Sequence, residues 1–265
     1  IMINCVSNLA WNINEEKDAI KVLKKNKIKF LEFAPTLLIK ASDNAHDVKK
    51  IKEKWANEGI RLFSMQSILY EIENAYIFGS KVQHKIFYNA IKSKIILAKK
   101  LGVKVIVFGS PKNRKSFGKK KHVLNKIFID TFKDLSKYCN RNNITICIEP
   151  NPKIYKSDYL RNMEEVVQVV KKIAKKNIKI NFDLGASIEN KEDTRTIFNR
   201  NIVLIGHVQI SAPGLKNIKK YNAEVKRFKE TLKISNYSGV VSMEVLAQKK
   251  NNIKNLKKNI QIIND

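Results

Sequence analysis

Short apolar runs rich in β-branched residues alternate along this chain with longer segments whose apolar positions recur at helical spacing. The short runs predict strands at 2–7, 30–34, 61–66, 103–109, 144–149, 178–183, 202–210 and 239–245. The longer segments predict helices at about 15–27, 44–58, 81–100, 122–141, 160–175, 190–199, 219–235 and 250–263. Strands that alternate with helices indicate βαβ crossovers and a parallel sheet.

Eight strand–helix units in about 250 residues are typical of an α/β protein with a parallel, eight-stranded (β/α)8 TIM barrel. An open, doubly wound sheet is the alternative, but its first turn is usually glycine-rich, and the segment VSNLAW after the first strand has no glycine. The sequence therefore gives no support for a dinucleotide cofactor. No linker rich in Pro, Gly or Ser divides the chain, which predicts one domain over 1–265.

Acidic residues stand where several of the predicted strands end. Glu149 ends the fifth strand, Asp183 ends the sixth and Glu244 lies near the end of the eighth, while His207 and Gln209 share one side of the seventh. In a barrel these positions face the mouth where catalysis occurs. Carboxylates crowded at one rim repel each other, and a divalent cation resolves that conflict. The alternative for each acid alone is a salt bridge to a nearby lysine.

Further polar residues lie at or beyond strand ends, in the loops that form the active face of a barrel. Glu32, Gln66 and Asn151 are candidates for contact with a substrate, and so is His207 on the seventh strand. In the loop GSPKNR after the fourth strand, Lys112, Asn113 and Arg114 are candidates for holding a phosphate or carboxylate group. The alternative is a solvated basic loop.

The net charge, the hydropathy and the cysteine content indicate which binding partners and which cellular compartment the sequence favours. The net charge is +28, but the excess is almost all lysine spread through the predicted helices, which disfavours specific nucleic-acid binding. No apolar run is long enough to span a membrane, and the amino terminus does not resemble a secretory signal. Three cysteines without CxxC spacing disfavour a disulfide framework. Together these features predict a cytoplasmic protein.

The ordered motifs IEPN, NFDLGA, GHVQIS and SMEV resemble the xylose isomerase-like TIM barrels, the sugar phosphate isomerase/epimerase superfamily. The segments SMQSILY, VIVFGSPKNR and CIEPNP look like one uncharacterised subgroup of it. The resemblance implies metal ligands at Glu149, Asp183, Gln209 and Glu244, with the two glutamates also acting as acid and base. Two positions depart from the pattern: Gln209 replaces a ligating histidine, and Ala186 replaces a histidine three residues after the aspartate.

Three carboxylates and an amide are all oxygen ligands, which favours Mg²⁺ or Mn²⁺ over Zn²⁺. If His207 supplied a nitrogen ligand, Mn²⁺ or Zn²⁺ would become about as suitable as Mg²⁺. An equal alternative is that His207 does not bind the metal and hydrogen-bonds to a group outside the ligand shell. The implied reaction is isomerisation or epimerisation of a sugar or sugar phosphate through an enediolate.

Other activities stay open at this point. They are a metal-dependent lyase or dehydratase, a DNA repair nuclease of the endonuclease IV kind, and a carbohydrate-binding barrel without metal. The resemblance also implies a homo-oligomer, since dimers and tetramers are usual in the superfamily.

Overall fold

A closed parallel barrel forms the centre of the protein in the computed structural model, which describes residues 4–40 and 45–265. Each strand pairs with the next along the chain, and the eighth pairs with the first. The strands are β1 Cys5–Ser7, β2 Phe30–Phe33, β3 Arg61–Met65, β4 Val105–Phe108, β5 Thr145–Ile148, β6 Ile178–Asp183, β7 Ile205–Ile210 and β8 Val241–Met243. The predicted (β/α)8 barrel is confirmed.

Helices surround the barrel. In the described part of the chain they are α1 Glu16–Lys25, α2 Pro35–Leu38, α3 Ala45–Asn57, α4 Lys81–Leu101, α5 Lys121–Asn142, α6 Met163–Ile173, α7 Leu184–Glu189, α8 Thr194–Asn201, α9 Asn222–Ile234 and α10 Asn252–Asn264. None of these helices is both long and apolar enough to cross a membrane.

Local sequence explains where the long helices begin and end. At the start of α4, the Ser80 side chain accepts a hydrogen bond from the Gln83 amide, and the Gln83 side chain accepts one from the Ser80 amide. This capping box satisfies donors that would otherwise lack partners. The helix ends at Gly102, whose left-handed conformation (φ 76°) costs little without a Cβ atom.

Aromatic side chains fill the layer between barrel and helices. The ring centroid of Phe108, on β4, lies 5.7 Å from that of Phe87 on α4 and 5.1 Å from that of Phe132 on α5. All three side chains are fully buried, and each stabilises the fold by roughly 1.5–3 kcal/mol relative to exposure. This packing fixes β4, and with it the loop that follows, against the outer helices.

The inside of the barrel is mostly polar, with one small apolar cluster. Side chains alternate along each strand, so the residues that do not face the helices point inward. Val105, Val107 and Cys147 form a buried cluster that is separate from the main core, with Phe63 packed on it. The strands β2, β3, β7 and β8 contribute buried polar residues. Barrels are more often filled by bulky aliphatic residues, so a polar interior indicates a specialised site.

Three elements differ from the sequence prediction, and one of them is the short helix α2, which lies in a segment for which no helix was predicted. Residues 202–204, predicted as the start of β7, form a 3₁₀ turn, and β7 begins at Ile205. Helix α7 follows β6 without a loop, in a segment for which no helix was predicted. Of the predicted first strand, residues 2–3 lie outside the described residues.

Candidate active site

A cavity of about 140 Å³ opens at the carboxyl end of the barrel. Three of the strand-end acids predicted from sequence meet there, together with two predicted polar residues. The lining comprises Gln66, Ser67, Val107, Gly109, Ser110, Pro111, Glu149, Asn151, Tyr155, Asp183, Leu215 and Glu244. Loops after β3, β4, β5 and β7 complete it, which is the usual construction of an active site in this fold.

Glu149 follows β5 directly, and its backbone amide still donates to the carbonyl oxygen of Phe108 on β4. Its Oε1 atom accepts a hydrogen bond from Asn151 Nδ2 at 3.0 Å. Burial and the nearby charge of Asp183 raise the pKa of Glu149 to about 8, although the charge of Arg114 opposes them. A carboxyl group with this pKa holds and releases a proton near neutral pH.

Arg114 lies behind Glu149 and is fully buried. Its Nη1 donates to the Glu149 carbonyl oxygen at 3.0 Å, and its Nη2 donates to Asn151 Oδ1. Its guanidinium carbon lies 5.7 Å from the centre of the Phe108 ring. Burial lowers the pKa of Arg114 to about 10, so it remains a cation at neutral pH. Arg114 therefore supports the Glu149 segment and does not line the cavity as a clamp for an anionic group.

Asp183 ends β6 and caps α7. Its oxygens accept hydrogen bonds from the backbone amides of Gly185 and Ala186 at 3.3 and 3.1 Å, and from Ser211 Oγ. Burial raises the pKa of Asp183 to about 6, against the effect of these hydrogen bonds. Ala186 stands where the family pattern has a histidine. Its backbone amide donates a hydrogen bond to Asp183.

Glu244 follows β8, and its backbone amide donates to the Ile210 carbonyl oxygen at 3.0 Å. Burial and the charges of Glu149, Glu32 and Asp183 raise its pKa well above the usual value. Gln66 opposes this rise, and its Nε2 donates to Ser7 Oγ at 2.7 Å. The three acids of the cavity therefore disfavour one another's charge.

Glu32 lies inside the barrel rather than in the cavity, and is fully buried. One of its oxygens accepts from Ser64 Oγ at 2.7 Å and from His207 Nε2 at 2.8 Å. The other accepts from Gln209 Nε2 and Ser242 Oγ, both at 2.9 Å. Burial raises the pKa of Glu32, but the charge of His207 and these hydrogen bonds outweigh it and hold the pKa below the usual value. Four donors saturate this carboxylate, so a substrate contact is not open to it.

Gln209 and His207 belong to the same interior network. The Gln209 amide nitrogen donates to Glu32, and its Oε1 accepts a hydrogen bond from Asn181 Nδ2. His207 Nε2 faces Glu32, and its Nδ1 has no hydrogen-bond partner among the described residues. In this arrangement both ends of the Gln209 amide are occupied.

The chemistry of the three cavity carboxylates fits a hard divalent cation, because such an ion prefers oxygen ligands and its charge would offset the burial and repulsion that raise their pKa values. In this structure, however, the three carboxylates are not arranged as the ligands of one metal ion. Within residues 4–40 and 45–265, no group of three His, Cys, Asp or Glu is spaced to hold a metal ion. Glu149, Asp183 and Glu244 thus supply suitable donors, and Gln209 does not join them in this arrangement.

Lys112 and Asn113 take other positions than the cavity wall. Lys112 is exposed and lines a neighbouring pocket. Asn113 is buried and joins two loops, since its Nδ2 donates to the Ala75 carbonyl oxygen at 2.6 Å. Sequence reasoning missed Tyr155, which lines the cavity and whose hydroxyl accepts from the Gly214 amide at 3.0 Å. The sequence feature that could have identified Tyr155 as a site residue is its position in the loop after β5.

Comparison with solved structures finds the same fold in several sugar epimerases. A 3-keto-D-glucoside 4-epimerase from E. coli matches with a TM-score of 0.79 and 15% identity, over 98% of each chain. An L-ribulose 3-epimerase matches with a TM-score of 0.82 and 12% identity, over 99% of this chain and 93% of the other. The D-psicose 3-epimerase from Clostridium cellulolyticum H10 matches with a TM-score of 0.75 and 16% identity, over 98% and 90%.

A search of the curated proteins found no match. The sequence model of one family, described as xylose isomerase-like TIM barrel, matches residues 20–265. Since that match covers most of the chain, and the strand-end acids were read from the same region, the protein belongs to the xylose isomerase-like TIM barrel family.

Proposed function

We propose that the protein is a sugar epimerase or isomerase that moves a proton next to a carbonyl group, with Glu149 and Glu244 as acid and base. One observation carries this proposal: the two glutamates line one cavity from β5 and β8, strands that β6 and β7 separate. They therefore approach the cavity from different sides. Inversion at a carbon atom needs proton removal on one face and return on the other, so this arrangement favours epimerisation.

The protonation behaviour of the two glutamates supports the same roles. Burial raises the pKa of both, and each disfavours the charge of the other. Two carboxyl groups that repel each other in this way do not readily ionise together, so one can keep its proton and act as the acid while the other, once ionised, acts as the base. The names of the structural neighbours, several of them sugar epimerases, agree with this reaction class.

Other cavity residues would orient the substrate. Asn151 holds Glu149 by a hydrogen bond, and Gln66 lines the cavity together with Glu244. The hydroxyls of Ser67, Ser110 and Tyr155 line the same space and suit the hydroxyl groups of a sugar.

We also propose a divalent cation, Mg²⁺ or Mn²⁺ rather than Zn²⁺, held by the carboxylates of Glu149, Asp183 and Glu244. When bound, such an ion supplies positive charge that keeps these groups ionised and favours negative charge on a substrate oxygen. Ligation by Gln209 would first require its amide to release Asn181.

The test is a panel of ketoses in D₂O, with and without Mn²⁺, followed by NMR for new epimers and for loss of the proton next to the carbonyl. We expect Glu149→Gln and Glu244→Gln each to lower turnover by about 10²- to 10⁴-fold, the usual effect of a lost acid or base. Glu192→Gln is the control, because Glu192 also has a raised pKa but lies outside the cavity. Full activity in either cavity variant would contradict the proposal.

A further inference from the structure

A second pocket, here called the side pocket, lies beside the cavity, between the loop 67–80 after β3 and the 3₁₀ turn Pro111–Arg114 after β4. Its volume is about 520 Å³, several times that of the cavity. It is lined by Ser67, Leu69, Tyr70, Glu71, Ile72, Glu73, Asn74, Tyr76, Ser110, Pro111, Lys112 and Asn113.

The side pocket and the cavity share a wall. Ser67, Ser110 and Pro111 line both. The cavity alone, at about 140 Å³, is smaller than the roughly 300–1,000 Å³ of ordinary small-molecule sites. A ligand whose reacting carbon lies between Glu149 and Glu244 can therefore place a further group in the side pocket if it extends past this wall.

Contacts between the two loops hold the side pocket in shape. Asn113 Nδ2 donates to the Ala75 carbonyl oxygen at 2.6 Å, and the Ile77 amide donates to the Asn113 carbonyl oxygen at 3.0 Å. At the shared wall, Ser67 and Ser110 have φ values of 51° and 45°, a conformation that is uncommon for residues other than glycine. Such strain tends to persist where a site depends on it.

The surface of the side pocket combines apolar and hydrogen-bonding groups. Tyr70 is 61% exposed, and the partly buried Tyr76 is packed edge-on against Phe117, with ring centroids 5.3 Å apart. Tyrosine offers a flat apolar face and a polar hydroxyl, which suits a ring that carries C–H groups on one side and hydroxyls at its edge. Asn74 adds an amide.

The charge of the side pocket disfavours an anionic ligand. Its lining holds Glu71 and Glu73 against one cation, Lys112. The whole loop 67–80 contains no Lys or Arg, in a chain with 52 such residues and a net charge of +28. Arg114, the other cation of the turn Pro111–Arg114, is buried behind Glu149, and the next two cations of this loop, Lys115 and Lys119, lie over the Phe117 ring and not in the lining. The lining therefore favours an uncharged group over an anionic one in the side pocket.

We propose that the side pocket binds a second, uncharged sugar ring, so that the substrate is a disaccharide-sized glycoside whose other ring reacts in the cavity. The identity of the reacting ring rests on the proposed function; the binding of the second ring is tested separately from turnover. The proposal excludes a sugar phosphate that directs its phosphate into the side pocket.

The test is equilibrium binding to the full chain, by calorimetry and saturation-transfer NMR, of four ketoses: fructose, fructose 6-phosphate, lactulose and isomaltulose. The last two carry a second ring on O4 and O6 of the fructose unit. We expect at least one of them to bind about tenfold more tightly than fructose, and fructose 6-phosphate to bind no more tightly than fructose. Saturation transfer should be strong on the protons of the second ring.

Tyr70→Ala should remove most of this gain and leave fructose binding unchanged. Val203→Ala is the control, because Val203 is 76% exposed and precedes β7 at the other end of the barrel. If neither disaccharide binds more tightly than fructose, or if Tyr70→Ala has no effect, the inference is overturned. If fructose is turned over but the second ring adds no affinity, the inference about the side pocket is overturned and the proposed function is left intact. If a disaccharide binds more tightly but is not turned over, the inference about the side pocket stands and the proposed function is contradicted.

Discussion

At the scale of single residues, the carboxyl group of Glu149 has little freedom to move. Asn151 donates to one of its oxygens, and Arg114 holds its backbone carbonyl. On the other side, a Cβ atom at Gly109 would lie 3.0 Å from Glu149 Oε2, closer than most such contacts. Glycine at position 109 therefore lets β4 approach the acid without a clash.

Gly109→Ala should displace the Glu149 carboxyl group by a few tenths of an ångström. Because a catalytic group must be aligned with the reacting carbon, we expect roughly a tenfold loss of kcat. Gly109 has no positive φ, so the added methyl group brings no backbone strain, and the melting temperature should change little. Unchanged kcat with an unchanged KM would show that the close approach has no role.

Asp183 allows a test of cation binding with a matched control. Asp183 and Asp193 both cap helices by accepting hydrogen bonds from backbone amides, but only Asp183 lines the cavity. Asp183→Asn should weaken Mn²⁺ binding at least tenfold in calorimetric titration, because it removes one of three anionic ligands. Asp193→Asn should leave the affinity unchanged. Equal affinity in both variants would remove Asp183 from the ligand set.

Strand-end position predicted three acids that share the cavity, but it also selected Glu32, which lies inside the barrel. Glu149, Asp183 and Glu244 meet there because parallel strands end at the same face of a barrel. Position along the chain does not reveal the direction or the partners of a side chain. For that reason the burial of Arg114 and the engagement of Gln209 by Asn181 could not be predicted. The catalytic and ligating roles themselves stay predictions.

At the scale of elements, the start of α6 shows how side chains fix a helix next to the site. Asn162 Oδ1 accepts from the Glu165 amide at 2.9 Å, and Glu165 accepts from the Arg161 amide at 2.8 Å and from Lys121 Nζ at 2.8 Å. Burial raises the pKa of Glu165, but these bonds outweigh it and leave the pKa below 4.5. Ionised Glu165 therefore links α6 to α5.

This contact predicts a pH-dependent effect on stability. A carboxyl group whose pKa is lowered by folding stabilises the protein above its unfolded-state pKa, and this contribution is lost as the pH falls through the folded-state value. Glu165→Gln should therefore lower the free energy of unfolding by about 0.5–1 kcal/mol at neutral pH, since Lys121 is largely exposed. The difference from the unmodified protein should vanish well below pH 4.5.

Urea unfolding at several pH values measures this difference. Glu164→Gln is the control, because it removes the same charge from the same first turn, where Glu164 is exposed. A pH-independent effect of Glu165→Gln, or an equal effect of both substitutions, would contradict the assignment.

Periodicity predicted the eight strands and most of the helices, because each strand is buried and each long helix has one apolar face. Helix α7 was missed for a physical reason. Its six residues are too few to display a helical period, and it forms because Asp183 caps it directly at the end of β6. The turn at 202–204 was assigned to β7 because IVL is also a good strand sequence.

At the scale of the whole molecule, the closed strand order matters most. In the barrel β1 to β8, the strands β5 and β8 have two others between them, so Glu149 and Glu244 reach the cavity from different sides. The polar network around Glu32 lies inside the same barrel. The charge of Glu32 adds to the repulsion that raises the pKa of Glu244. The architecture thus sets both the separation and the protonation of the proposed acid and base.

The most direct test of this account is the position of deuterium after brief turnover of a ketose substrate in D₂O. If Glu149 and Glu244 act from opposite faces, the base that removes a proton is not the acid that returns one. The epimeric product should then carry deuterium at the inverted carbon from the first turnovers, while the recovered substrate stays unlabelled. Equal labelling of substrate and product, or a product that keeps the original proton, would contradict the two-sided mechanism.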